Sequence, residues 1–272
     1  MKVRIINAAL LAGCLAITGR TLGTARLAQG NDQLTPIQRE IERQRQRLSS
    51  AEIEERRDAL MRLASLERPE ASRVATAGLR DPVPIVRATA VHAVLSLPQA
   101  EGAAVLIPLL QDKLEFVRRE TAYALGKTRS RSAVEALSNL LLFDKEASVR
   151  AAAAIALGQI GDDAAVNALS QVLNGTAPPK GKKKKLRENE FVMRAAAHSL
   201  GQIRSRSSVT VLIATLENET NANDVRREAA TALGLIGDAS AIPSLRAALG
   251  AADPYLSEAA REALRRLRIA RN

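Results

Sequence analysis

The chain contains two histidines, His92 and His198, and these are the first residues to question for chemistry. Two imidazoles can share a transition metal only if both reach one ion at about 2 Å. Cys14 is the only cysteine, which rules out an internal disulfide and a thiolate metal cluster. Gly126-Lys127-Thr128 has the last residues of a phosphate loop without the upstream glycine turn that would cradle the phosphate. No Gly-x-Ser-x-Gly elbow is present, and the carboxylates are scattered over exposed helix faces, the pattern of a solvated surface. No cofactor is implied. Arginine is the abundant chemical group, and the net charge is +11. A guanidinium row is suited to forked hydrogen bonding with carboxylates.

The elements that would position these groups follow from an internal repeat. The phrase Val-Arg-x-x-Ala-x-x-Ala-Leu-Gly runs from Val149 to Gly158, from Val117 to Gly126 and from Val225 to Gly234. It recurs from Val86, with Val94 in the Leu place, and from Val192, with Met193 in the Arg place. Weaker copies begin at Glu55-Arg56 and at Leu256. The seven anchors are spaced 31, 31, 32, 43, 33 and 31 residues apart. A period of this size marks a stack of two-helix units. The anchor and the residues four, seven and eight further on share one helix face. A second apolar helix follows, as at Val166, Leu169 and Leu173. Gly161 stands at a helix stop, and Asp81, Asp112 and Asp144 sit where a side-chain oxygen can cap the next helix. Ala and Leu favour helix, and strand-like alternation is missing. With 2% aromatics the core must be closely packed Ala, Leu, Val and Ile. The expected fold is all-α: a right-handed α-solenoid of about seven helical hairpins.

These phrases resemble HEAT-like repeats of the phycobilisome-lyase type, most fully between Asp144 and Asp162. The resemblance implies that the Val-Arg helices line the concave side. It also implies that Asp81, Asp112, Asp144, Arg87, Arg118, Arg150 and Arg226 form an architectural ladder between hairpins. HEAT-like deoxyhypusine hydroxylases carry His-Glu motifs for a di-iron centre. Here Ala93 follows His92 and Ser199 follows His198, so that activity is not implied.

His92, Tyr123 and His198 lie six residues after their anchors, and Arg57, Arg119, Arg194 and Arg227 lie two after. On a helical wheel both positions point roughly opposite to the buried face. A concave groove lined by arginine, with His92, Tyr123 and His198 interspersed, is therefore expected. The histidines fall three repeats apart, roughly 25–30 Å at 8–10 Å per helix layer, too far for one metal ion.

Lys2 and Arg4 precede an apolar run from Ile5 to Ile17, the pattern of an export signal over residues 1–25 with cleavage after Ala25. Ile5 to Gly19 would reach only about 22 Å as a helix, short of a bilayer core. Leu11-Ala12-Gly13-Cys14 is the rival: it resembles a lipobox, which would place a lipid on Cys14. Either reading sends the chain to the periplasm or cell envelope. Residues 26–49 are expected to be a linker with a short charged helix opened by Thr35-Pro36, outside the array. A capping box at Ser49-x-x-Glu52 would then start the solenoid, residues 50–272. An insert over 175–190 carries Lys180, Lys182, Lys183, Lys184 and Lys185, a basic loop able to meet an anionic surface. The arginines at 261, 265, 266, 268 and 271 are expected to form a polar end cap.

The function expected from these features is a non-catalytic scaffold of the bacterial envelope that binds an acidic protein partner on its concave face. Contact with a membrane surface is a further expectation. The resemblance implies an alternative, a lyase-like protein that holds a bilin and attaches it to a partner. A HEAT-like nucleic-acid binder is the third reading, disfavoured by the scarcity of stacking aromatics.

Overall fold

The computed structural model describes residues 34–175 and 188–269. The expected signal segment, Cys14, Lys180 to Lys185 and Arg271 lie outside the described residues, as does the side chain of Arg268. Within the described residues the chain forms fourteen α-helices and no strand. α1 spans Pro36–Arg47, α2 Ile53–Ser65, α3 Pro69–Ala75 and α4 Pro84–Ala93. α5 spans Gln99–Leu106, α6 Glu115–Thr128, α7 Val134–Phe143 and α8 Ala147–Ile160. α9 spans Val166–Leu173, α10 Glu190–Ile203, α11 Val209–Glu217, α12 Asn223–Ile236, α13 Ile242–Ala248 and α14 Pro254–Ile269.

The seven even-numbered helices carry the Val-Arg phrase and form one layer; the odd-numbered helices form the other. Even helices pack along their neighbours, while odd helices touch theirs sparsely. The stack therefore bends toward the even layer, which is its concave side.

Glycine explains the closeness of that layer. A methyl group added at Gly201 of α10 would sit 2.8 Å from the Ala232 Cα of α12. One at Gly234 of α12 would sit 2.7 Å from the Ala263 Cα of α14. Each glycine nine residues past an anchor thus meets the small residue seven past the next anchor. Ala64 and Leu95 fill this glycine position in the first two units, and there the even helices pack more loosely. Such approach is open to glycine at a modest helix-propensity cost.

The repeat face is buried as its spacing requires. Val149, Ala153, Ala156 and Leu157 have no solvent exposure, nor do Val117, Thr121, Ala124 and Leu125. Polar members of this face bond to backbone. Thr121 donates to the Val117 carbonyl, and Ser199 donates to the Ala154 carbonyl across the joint at 2.8 Å. Gly161 and Gly237 end their helices in the left-handed conformation, where Arg129 and Arg204 stand in the same role elsewhere.

Three local expectations are corrected. The charged segment before residue 50 is not separate: α1 packs on α2 and α3 and buries Ile41 in the common core. Its start is as expected, with Thr35 and Gln38 capping reciprocally. No capping box forms at Ser49. Glu52 holds the cap position and Ser50 Oγ accepts its N–H instead. Finally, Asp81, Asp112 and Asp144 do not cap within their helices. Each accepts the N–H of the residue two further on, the cap residue itself, and so shapes the turn ahead of the helix.

Candidate interaction face

A ladder of buried ion pairs sets the register of the concave helices. Arg56 forks onto Asp81, Arg87 onto Asp112 and Arg118 onto Asp144, each with its shortest contact at 2.7 Å. The third amine of each guanidinium donates to carbonyls in the turn before its own helix, as Arg118 does to Asp112 and Lys113. Every rung therefore ties one turn to the next. Arg150 continues the ladder onto Glu188 at 2.6 Å, through one amine only, and its Nε has no acceptor among the described residues. The ladder then stops. Met193 replaces the arginine at the α10–α12 joint. Arg226, expected to be a rung, donates to the Leu216 carbonyl instead.

Burial works to raise the carboxyls of Asp81 and Asp112. The forked arginine, the turn N–H and the neighbouring arginine charge together outweigh it and hold both below the usual carboxylate range. Their unfolded forms take up protons first as pH falls, so the unfolded chain binds more protons in that range. Stability contributed by the ladder is complete above about pH 4 and lost as pH drops through the lower native values. Urea midpoints are expected to hold from neutrality to about pH 5 and to fall below about pH 4, less steeply in Asp112→Asn. Midpoints unchanged down to about pH 3 would separate these carboxylates from folding.

The residues expected in the groove do line the concave layer, yet none forms a bare cationic row. His92 lies 3.2 Å from Glu120, and Arg119 pairs with the same carboxylate. His198 lies 3.2 Å from Glu228, one helix further along. Arg194 faces Asp224 at 3.7 Å, and Arg227 pairs with Asp224 and Asp253. Arg57 pairs with Glu54 on its own helix. The face is a lattice of alternating charge.

The global charge agrees. Of the 40 Lys and Arg, eleven lie outside the described residues, as does one of the 29 Asp and Glu. The stack itself thus holds 29 cations against 28 anions, and the positive excess belongs to the remaining segments.

Sequence reasoning found Tyr123 but missed the acids and two further aromatics of this face. Glu120 and Glu228 lie three after their anchors; Asp224, Phe191 and Tyr255 lie one before theirs. Both positions fall within about 100° of the arginine position on the wheel, so the register did contain them. Phe191 and Tyr255 are 60% and 69% exposed, and Arg194 and Arg227 lie over their rings at 5.8 and 5.4 Å. Tyr123, Arg194 and His198 also come together, around an open pocket of about 380 Å³ completed by Ala151, Ile155, Phe191, Ala195 and Glu228. Among the described residues no three of His, Cys, Asp and Glu converge as metal ligands. No described helix is long and apolar enough to cross a membrane.

A curved two-layer stack of helical hairpins tied by an Arg–Asp ladder defines an α-solenoid of the helical-repeat class. A family model for HEAT repeats matches residues 41–124, 103–181 and 184–265, and the chain belongs to that family. Among solved structures, an engineered protein is 20% identical over 84% of this chain and 68% of its own, with a TM-score of 0.52. The phycocyanin lyase complex from Nostoc sp. PCC7120 is 22% identical over 85% of this chain and 87% of that one, with a TM-score of 0.48. Human deoxyhypusine hydroxylase is 20% identical over 92% and 99%, with a TM-score of 0.41. A comparison with curated proteins finds no match. At these identities the likeness concerns the fold and not the activity.

Proposed function

We propose that this chain is a non-catalytic scaffold of the bacterial envelope that holds a partner protein against its concave face. One observation carries the reading. On a face otherwise covered by paired charges, two exposed aromatic rings and a pocket of mixed apolar and charged lining stand open, each beside an arginine. Exposed aromatics flanked by guanidinium are the composition of a protein interface centre, where they supply area at small conformational cost. The expected export signal supports placing this activity in the envelope. The expected basic segment from Lys180 to Lys185 supports attraction to an acidic partner or an anionic membrane surface, because the stack itself is nearly neutral.

A photo-crosslinking amino acid placed in the full-length chain at Arg194 or Tyr255, on the concave face, is expected to capture protein adducts in envelope fractions. The same group at Asn167, exposed on α9 of the other layer, is expected to capture none of them. Identical adducts from both layers would remove the concave face from the proposal. Mass spectrometry of the mature protein tests export separately: a start at Arg26 or an acylated Cys14 fits it, and a retained Met1 contradicts it.

A further inference from the structure

The pocket on the concave face has a composition that its neighbours lack. Each even helix presents inward the residues two and six past its anchor. On α6 these are Arg119 and Tyr123, on α10 Arg194 and His198, and on α12 Arg227 and Thr231. On α8 they are Ala151 and Ile155. Among the seven even helices, α8 alone fills both positions with apolar residues. The small Ala151 leaves a depression between the larger side chains of α6 and α10. Ile155 and Ala195 form its floor, and Tyr123 and Phe191 stand at its sides.

Its charged lining comes from the α10–α12 joint. There Arg194 lies over the Phe191 ring, and its facing carboxylate, Asp224, is 3.7 Å away. Both groups of that pair are about half exposed, 47% and 53%, so water screens their attraction and an incoming carboxylate can compete for the guanidinium. One helical turn along the same joint His198 lies 3.2 Å from Glu228, which keeps an acid at the pocket. An apolar floor, with a cation and a carboxylate one turn apart beside it, orients whatever enters.

We infer that this pocket is a specificity site for a partner segment in which a large apolar side chain is followed closely by an acidic one. The apolar side chain fills the depression over Ala151 and Ile155, and the carboxylate forks onto Arg194. Glu228, one helical turn from Arg194, repels the reverse orientation. The complementarity of the Arg194 charge and the unpaired apolar floor select this occupant over a uniformly acidic peptide, which would leave the floor wet. The inference rests on the scaffold reading and adds the chemistry of the partner to it.

Panning a displayed library of random linear peptides against the full-length protein tests it. Wild type is expected to enrich sequences with Leu, Ile, Met or Phe shortly before Asp or Glu. Ile155→Arg is expected to weaken a selected peptide by at least about tenfold, and the outer-layer control Asn167→Arg to leave it unchanged. Arg194→Glu is expected to reverse the charge preference, so that Lys or Arg takes the place of the acid. Matching melting curves for the variants establish that all remain folded. No enrichment by wild type, or the same peptides selected by all variants, overturns the inference. Crosslinks that persist at Tyr255 while both pocket variants behave as wild type would leave the scaffold reading standing and this site refuted. Loss of concave-face crosslinks altogether would refute the scaffold reading itself.

Discussion

Asp144→Ala is expected to lower the stability of the stack by about 3 kcal/mol or more, among the largest single losses available in this protein. Arg118 and Asp144 are 8% and 7% exposed, and their fork spans two repeats. Removing the carboxylate leaves the guanidinium desolvated, with only the Asp112 and Lys113 carbonyls as acceptors. It also takes away the acceptor for the Glu146 N–H, so the turn before α8 loses its shape along with the rung. An isolated surface ion pair would contribute less than about 1 kcal/mol, and the difference here comes from burial and forked geometry.

The rung is costly to break more than it is valuable to own. The α10–α12 joint has Met193 in the arginine position and still packs as closely as the joints beside it. Arg118→Met combined with Asp144→Asn is therefore expected to cost less than the sum of the two single changes, because neither desolvated charge remains alone. Urea denaturation of the four proteins gives the coupling. Strict additivity would mean that the two side chains do not act as a pair.

Gly201→Leu is expected to cost about 2–3 kcal/mol even though leucine is the better helix former by about 1 kcal/mol. The added Cβ would lie 2.8 Å from the Ala232 Cα and 2.9 Å from its Cβ. These are backbone and first side-chain atoms that no rotamer change can move aside, so α10 and α12 must separate. That movement stretches the His198–Glu228 and Arg194–Asp224 pairs of the same joint. Leu95 occupies the corresponding position in the turn just past α4, where the even helices pack more loosely. Thermal melts would check the direction, and hydrogen exchange would place the loss in α10 and α12. A variant as stable as wild type would mean that the joint opens without resistance.

The contrast between these two sites separates what was legible in the sequence from what was not. The 31- to 33-residue spacing of Val-Arg phrases determined an all-helical stack, its layers and its buried face, because burial follows helix period alone. The ladder role of Arg87 and Arg118 came from the resemblance to HEAT-like repeats, and the structure bears it out. The helical wheel set Arg119, Arg194 and Arg227 opposite the buried face, and the resemblance implied that this side is concave.

Only the tertiary structure decided who faces whom there. Glu120, Glu228 and Asp253 lie about one repeat from His92, His198 and Arg227, a separation at which linear sequence carries no pairing information. A row read as bare cation became a neutral lattice once those partners closed on it. The depression at Ala151 exists because side chains from neighbouring helices rise around it, and the Gly201 contact exists because α12 lies against it. Both depend on distances between helices, which packing sets and periodicity does not.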